Sequence, residues 1–380
     1  MPAELICFEE RCRARFPVTE VIYNCPRCGG LLESTYPGRA ADPEALKRLW
    51  RERRTSNAPL DQSGVWRYRE IIPFLDSFDR VVTLREGNTP LLEAPRAAAY
   101  ASAAGLQPII FIPHGNISYG KLAQALEYGA RTFQVEANFD QILALVRTLA
   151  ERLGIYLLNS INPFRIEGQK TIIVEMMDQR DWNPPDWIVL PGGNLGNTSA
   201  FGKALREMLE MGLIRRSPRL AVIQAAGSAP FYNLVQSQDR GRLTKVEHPE
   251  TLATAIRIGD PVSWPKALHE VTSSGGVVEK VTEQEIADAK AQIGLCGIGC
   301  EPASAATLAG IRKLRAAGVI AQDADVVAVL TGNLLKDPDY IYRYHTGQLT
   351  APDGAKLNST FGNHPVVVPN DADKIAALLQ

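Results

Sequence analysis

The sequence predicts an α/β chain: parallel-sheet domains preceded by a small ribbon-like module. Three observations carry that expectation. From residue 107 onward, short apolar runs alternate with amphipathic stretches that end in glycine. Four cysteines fall within the first 28 residues. An apolar run ending at Leu190 passes directly into a glycine–asparagine loop, "PGGNLGN". Strands separated by helices imply parallel sheets covered on both faces.

Residues 1–36 form the ribbon. Cys7 and Cys12 follow C-x4-C spacing, and Cys25 and Cys28 form the knuckle "CPRCGG". Proline and glycine let the backbone wrap a tetrahedral metal, so these four are candidate zinc ligands. The alternative is a ribbon of four reduced thiols. Cys296 and Cys300, in "CGIGC", have no further cysteine or nearby histidine and read as core or loop thiols. Residues 37–93 are polar and arginine-rich, with helical stretches such as "PEALKRLWRERR", and read as an arm wrapping the next domain.

The first βα block then runs "IIFIP" (strand), "YGKLAQALEYGA" (helix), "RTFQVEA" (strand), "NFDQILALVRTLAERLG" (helix capped by Asn138 or Asp140) and "IYLLNS" (strand). A second block carries the helix "EGQKTIIVEMMDQR", the strand "DWIVLPGG", the helix "NTSAFGKALREMLEMG" and the strand "RLAVIQAA". The helices "EQEIADAKAQIG" and "EPASAATLAGIRKLRAAG" and the strand "ADVVAVLTG" complete it. Residues 346–380, rich in Pro, Asp, Asn and Gly, read as a loosely packed tail ending in a short helix.

Composition narrows the function. The 380 residues carry a net charge of −1, which argues against nucleic-acid or membrane-surface binding through bulk electrostatics. No apolar run approaches 18 residues and no secretory leader is visible, so a cytoplasmic setting is expected. The sharpest chemical feature is Leu190–Gly202, "LPGGNLGNTSAFG". Bare backbone N–H groups and a helix N-terminus would lie together at the carboxyl end of a parallel strand, where both favour an anion such as phosphate. Gly193 and Gly196 permit close approach; Asn194 and Asn197 tolerate left-handed conformations, and Leu195 lies between them. An ordinary βα turn is the alternative. Thr331, just past "VVAVL", places a neutral hydroxyl at the edge where α/β sheets hold ligands.

Seven stretches in fixed order resemble one family: "LREGNTPLL", "GKLAQALEYGA", "NSINPFRIEGQKT", "PGGNLGNTSAFGKA", "TLATAIRIGDPVSW", "CEPASAATLAG" and "LTGNLLKDPD". The chain resembles the threonine synthases with an N-terminal zinc ribbon, from about Cys7 to Asp339. The resemblance implies the tryptophan-synthase-β-like fold (pyridoxal-phosphate fold type II) and the conversion of O-phospho-L-homoserine and water to L-threonine and phosphate. It also implies a small-molecule substrate, a homodimer, and pyridoxal 5'-phosphate as cofactor with a structural zinc. By this resemblance Gly193, Asn194, Leu195, Gly196 and Asn197 hold the cofactor phosphate and Thr331 meets the pyridine nitrogen.

One feature of the family is missing. Members place the Schiff-base lysine and a substrate-carboxylate loop between segments resembling "EAPRAA" and "AAYASAAGL". In this chain those segments are fused at the seam Glu93–Leu106, "EAPRAAAYASAAGL". The loss is about 60 residues, since one βαβ unit takes roughly 30 or more. The expected organisation is therefore a zinc-ribbon-like module (1–36), an arm of the large domain (37–93), a truncated small α/β domain (94–160), a large phosphate-binding domain (161–345) and a tail (346–380). Lys121, Lys170, Lys203 and the exposed-looking Lys336 lie outside a strand-to-helix turn like the missing one. No catalytic lysine is expected among them. Asn333 and Leu334 replace the histidine and glycine usual after "TG" in the family. The expected outcome is a threonine synthase impaired in catalysis; the alternatives are a non-catalytic binder of pyridoxal phosphate or another phosphoester, and a truncated gene product.

Overall fold

The computed structural model describes residues 3–36, 42–84 except 73 and 76, 101–114, 119–137, 139–159, 161–237, 239 and 241–379. Residues 93–100 of the seam lie outside the described residues, as does Asn138, one of the two expected caps. The end of the seam is described. Ala101–Ala103 are helical, and Gly105 at φ 69° lets Leu106 N–H reach Ala101 O at 2.8 Å, a glycine helix stop.

The ribbon is an antiparallel sheet, β1 (Glu4–Cys7), β2 (Arg15–Pro17) and β3 (Leu32–Thr35), in the order β2-β1-β3. The arm holds α1 (Pro43–Arg53), the short α2 (Pro59–Gln62) and a 3-10 segment, Trp66–Ile71. It is more than a polar wrap, because Leu46, Trp50, Tyr68 and Ile71 enter the main core. Asp42 caps α1 by accepting from Glu44 N–H, and a proline follows at its first position.

The first βα block pairs β4 (Ile109–Pro113) in parallel with β5 (Arg131–Val135), flanked by α3 (Tyr119–Glu127) and α4 (Phe139–Leu153). The expected third strand at 155–160 does not form over its described residues, 155–159. Leu157 N–H donates to Tyr23 Oη at 2.9 Å and Leu157 O accepts from Asn162 Nδ2 at 2.7 Å, so side chains take the groups a sheet partner would have taken.

The second block is a four-stranded parallel sheet in the order β8-β7-β6-β9. Its strands are β6 (Trp187–Pro191), β7 (Arg219–Ala225), β8 (Val277–Val281) and β9 (Val326–Ala328). Every residue of β6 is buried. One face packs α5 (Pro163–Gln179), α6 (Gly196–Glu210), α7 (Pro230–Gln236) and α8 (Trp264–Ser273) around Ile188, Leu190 and Phe201. The other face packs α9 (Glu283–Leu295) and α10 (Pro302–Ala316) around Val189 and Ile223. Helix α5 starts earlier than its apolar pattern indicates, because Asn162 caps it and Pro163 opens it. Strand β8 and helices α7 and α8 are additions to the sequence reading. Before the tail lies α11 (Pro338–His345), and the tail itself adds α12 (Ala372–Leu379); Leu349 and Leu357 are buried against Tyr340 and Tyr344 of α11, so the tail's first half is packed.

Candidate active site

Strand β6 ends at Pro191, and Gly192 N–H continues the ladder to Ile223 O at 2.7 Å. A Cβ on Gly193 would meet Ala255 O at 2.9 Å. The bare side of Gly193 therefore admits the close approach of this chain's own backbone at Ala255. Gly196 meets only Gln169 Oε1, at 3.5 Å, and opens α6. Leu195 precedes it at φ 64° and makes no side-chain cap; its own buried side chain in the core holds this left-handed turn in place.

The first-turn N–H groups of α6 have no intrahelical partner by construction. Two buried polar atoms at the same end also lack one: the Thr198 hydroxyl and Gln169 Oε1. An uncapped helix start beside an orphan hydroxyl donor fits a phosphate. The asparagines act as girders. Asn194 Oδ1 accepts from Val262 N–H at 2.9 Å, and Asn197 Oδ1 accepts from Gln169 Nε2 at 2.7 Å.

Strand β9 lies beside β6, and Val329 N–H reaches Val189 O at 2.8 Å. The loop after β9 thus leaves the same sheet edge as the glycine–asparagine loop. There Thr331 Oγ1 lies 3.2 Å from Ser304 Oγ and donates to Glu301 Oε1 at 3.3 Å. Ser304 Oγ accepts from Gly332 N–H at 3.0 Å. A Cβ on Gly332 would fall 2.3 Å from the Glu301 carboxylate, so any larger residue there would push that carboxylate aside. Lys336 Nζ stands 3.5 Å from Glu301 Oε2 with its side chain 12% exposed, correcting the expectation of an exposed lysine. Glu301 and Ser304 were not foreseen. Their sequence signal is faint: two polar residues in the helical run "EPASAATLAG".

Lys170 and Lys203 are committed to ion pairs. Lys170 Nζ pairs with Glu167 at 2.6 Å and Glu207 at 2.7 Å. Lys203 Nζ donates to Glu167 and to Ser34 O of the ribbon. Burial opposes its charge, but Glu167, Glu33 and Glu207 hold its ammonium above the ordinary lysine range. Lys266, which the sequence did not single out, is lowered to about 8 by burial; it donates to Leu32 O at 2.6 Å beneath the ribbon. Only the backbone of Lys121 is described, in α3.

In the ribbon, one sulfur from each of Cys7, Cys12, Cys25 and Cys28 lies within 4.8 Å of the others. Cys7 and Cys28 are 3.4 Å apart, and Cys12 and Cys25 3.8 Å. A tetrahedron of thiolates about 2.3 Å from zinc has edges of about 3.8 Å, so the donor set suits that ion. Cys296 is exposed; Cys300 is buried, and burial raises its thiol to about 11.

The family described as "Pyridoxal-phosphate dependent enzyme" matches residues 78–332. Threonine synthase of Methanosarcina acetivorans is 39% identical over 392 residues, taking in 89% of this chain and 93% of that protein. The chain belongs to the threonine synthase family. The Methanocaldococcus jannaschii threonine synthase is 38% identical, with 88% of this chain and 93% of that protein covered. Among solved structures, Escherichia coli threonine synthase superposes with a TM-score of 0.62 at 16% identity over 99% of both chains. A serine ammonia-lyase from Rhizomucor miehei gives 0.54 at 24% identity, over 65% of this chain and 78% of that one. Both share the pyridoxal-phosphate type II fold with this threonine synthase family member.

Proposed function

We propose that this chain is a threonine synthase by descent, shaped for O-phospho-L-homoserine, water and pyridoxal 5'-phosphate, with impaired catalysis because the covalent lysine is missing at Glu93–Leu106. One observation carries the impairment. The matches to the two archaeal enzymes run over 392 and 388 residues, yet take in only 89% and 88% of these 380 residues. That supports an internal shortfall of roughly fifty residues, more than one βαβ unit of about 30. The ion pairs of Lys170 and Lys203 argue against a substitute.

The Gly193–Asn197 loop and the start of α6 would hold the cofactor phosphate, and Thr331 would face the ring nitrogen. When bound, the cofactor supplies an electron sink for the substrate's α-carbon. The Thr331 hydroxyl is held between Ser304 Oγ and Glu301 Oε1, and the buried carboxylate with Lys336 fixes its place at the sheet edge. Cys7, Cys12, Cys25 and Cys28 would bind a structural zinc. The chain would work as a cytoplasmic homodimer on a small-molecule substrate; no described helix is long and apolar enough to cross a membrane.

The intact loop and the orphan Thr198 also favour a second reading, a phosphoester or pyridoxal-phosphate binder without turnover. The test mixes the purified chain with pyridoxal phosphate, reduces with borohydride and maps adducts by mass spectrometry, alongside phosphate release from O-phosphohomoserine. Expected are dialysable cofactor, no pyridoxyl-lysine, and turnover at least about 10²–10⁴-fold below the Methanosarcina enzyme, the scale for losing one general acid–base group. A pyridoxyl adduct with robust turnover overturns the impairment. Complete absence of turnover with retained binding selects the second reading.

A further inference from the structure

A cavity of about 250 Å3 lies away from the glycine–asparagine loop, enclosed by the second half of α9, the 298–300 loop, the turn at Leu334 and α11. Its walls are largely aliphatic, from Ala287, Ala291, Leu295, Ile298, Leu334 and Ile341. Its polar lining includes three donors beside the Asn363 amide. Lys290 lines it, and among the described residues no carboxylate stands within ion-pair distance of that ammonium. Tyr340 lines it too, 7% exposed, with a buried hydroxyl that has no hydrogen-bond partner. His345 Nδ1 accepts from Asn363 N–H at 3.0 Å, which leaves the proton on Nε2 as a third donor. Tyr344 does not add to these, because its hydroxyl donates to Asp288 at 2.6 Å. Cys300, held as a neutral thiol, brings no negative charge.

We infer that this cavity is a binding site for a small monocarboxylate with a short aliphatic body. A half-buried cation and a buried hydroxyl donor without an acceptor are what a carboxylate satisfies, and the aliphatic walls match a branched hydrocarbon. The volume falls below the roughly 300 Å3 at which sites for drug-sized molecules begin, which limits the ligand to a few carbons. Burial lowers the Lys290 ammonium from its ordinary range, with Asp337 only partly opposing it, and an arriving anion would raise it further. The site does not depend on the threonine synthase reading, since it uses neither the phosphate loop nor Thr331.

The experiment titrates the full chain with isovalerate and with isoamylamine, which has the same skeleton and the opposite charge. Calorimetry and the ring-proton resonances of His345 follow binding, in the presence of saturating inorganic phosphate. Saturable binding of isovalerate but not of the amine is expected, with a shift at His345. Lys290→Met is expected to weaken binding at least tenfold, and Tyr340→Phe three- to tenfold. No isovalerate binding at 20 mM, equal binding of the amine, loss of binding to phosphate competition, or unchanged affinity in both variants overturns the proposal. The two-probe comparison on the unmodified chain decides it even if a variant fails to fold.

Discussion

The two parallel sheets read alike in sequence and differ in what covers them. In the four-stranded sheet, β6 is buried throughout and β7 all but its first residue, because helices close both faces. In the two-stranded sheet, four of five β4 residues are half-buried, and β5 holds no buried residue. Leu126, Phe133, Leu145, Leu153, Tyr156 and Leu158 all remain exposed around it. The difference teaches that βα alternation specifies a local unit, while stability comes from the number of neighbours the unit has. Among the described residues, a two-stranded unit without further strands packs only small clusters around Ala125 and Ala150 and leaves much of its apolar surface exposed.

The largest expected effect follows directly. Amides of β6 and β7 should exchange only through global unfolding, on the order of 5–15 kcal/mol, whereas those of β4 and β5 should exchange through local openings several kcal/mol cheaper. Hydrogen exchange read by mass spectrometry checks this, and equal protection in both sheets would break the comparison.

A second effect tests what secures the large domain from outside. Glu167 is fully buried and pairs with both Lys170 and Lys203, and Lys203 also grips the ribbon through Ser34 O. Burial works against the Glu167 charge, but Lys170 and Lys203 overrule it and bring the carboxyl to about 2. Glu167→Ala leaves two ammonium groups short of a partner and should cost about 3–5 kcal/mol in denaturant unfolding. In the parent chain a depressed carboxyl stabilises above its unfolded value near 4.5. That contribution should fade as pH falls toward 2.

Next comes a matched pair of aromatic truncations. Phe201 is 0% exposed and Phe133 42%. Phe201→Ala should cost about 3–5 kcal/mol. Phe133→Ala should cost about 1 kcal/mol, the scale of its stacking on Phe111 at 5.2 Å. Thermal unfolding of both variants measures the ratio, and a Phe133 cost equal to that of Phe201 would mean the small sheet is covered after all.

Sequence disclosed what is local and withheld what is long-range. The β6–loop–α6 unit was legible because an all-apolar run, a glycine pair and a helix start sit within twelve residues. The cysteine set was legible through spacing. Residues 155–160 misled because apolar periodicity cannot tell whether a sheet partner exists. Strand β8, "VVEKV", was too short and too charged to stand out. The Glu301–Ser304–Thr331 group joins residues about thirty positions apart, brought together only because α10 returns to the sheet edge. The Glu167 network was invisible for another reason: α5 buries Glu167, Lys170, Glu175 and Asp178 on what would pass for its solvent face.

The smallest expected effect lies where the ribbon meets the large domain. Burial brings Lys266 to about 8, with Glu33 partly resisting and Lys203 adding to the fall. Its ammonium donates to Leu32 O, so any charge there is sealed beneath β3. A lysine whose folded value lies below its unfolded value near 10.5 loses its proton first in the native state. Between those values the unfolded chain binds more protons, so stability should rise as pH climbs from about 8 toward 10. Lys266→Met removes the titration while keeping most of the stem's packing over Phe8. Unfolding midpoints of the two proteins, compared at each pH from 7.5 to 9.5, cancel every other titrating group. The parent should gain on the variant as pH rises, and a constant gap would show that the lysine keeps its charge, with the ribbon resting on an ion pair rather than on a neutral amine.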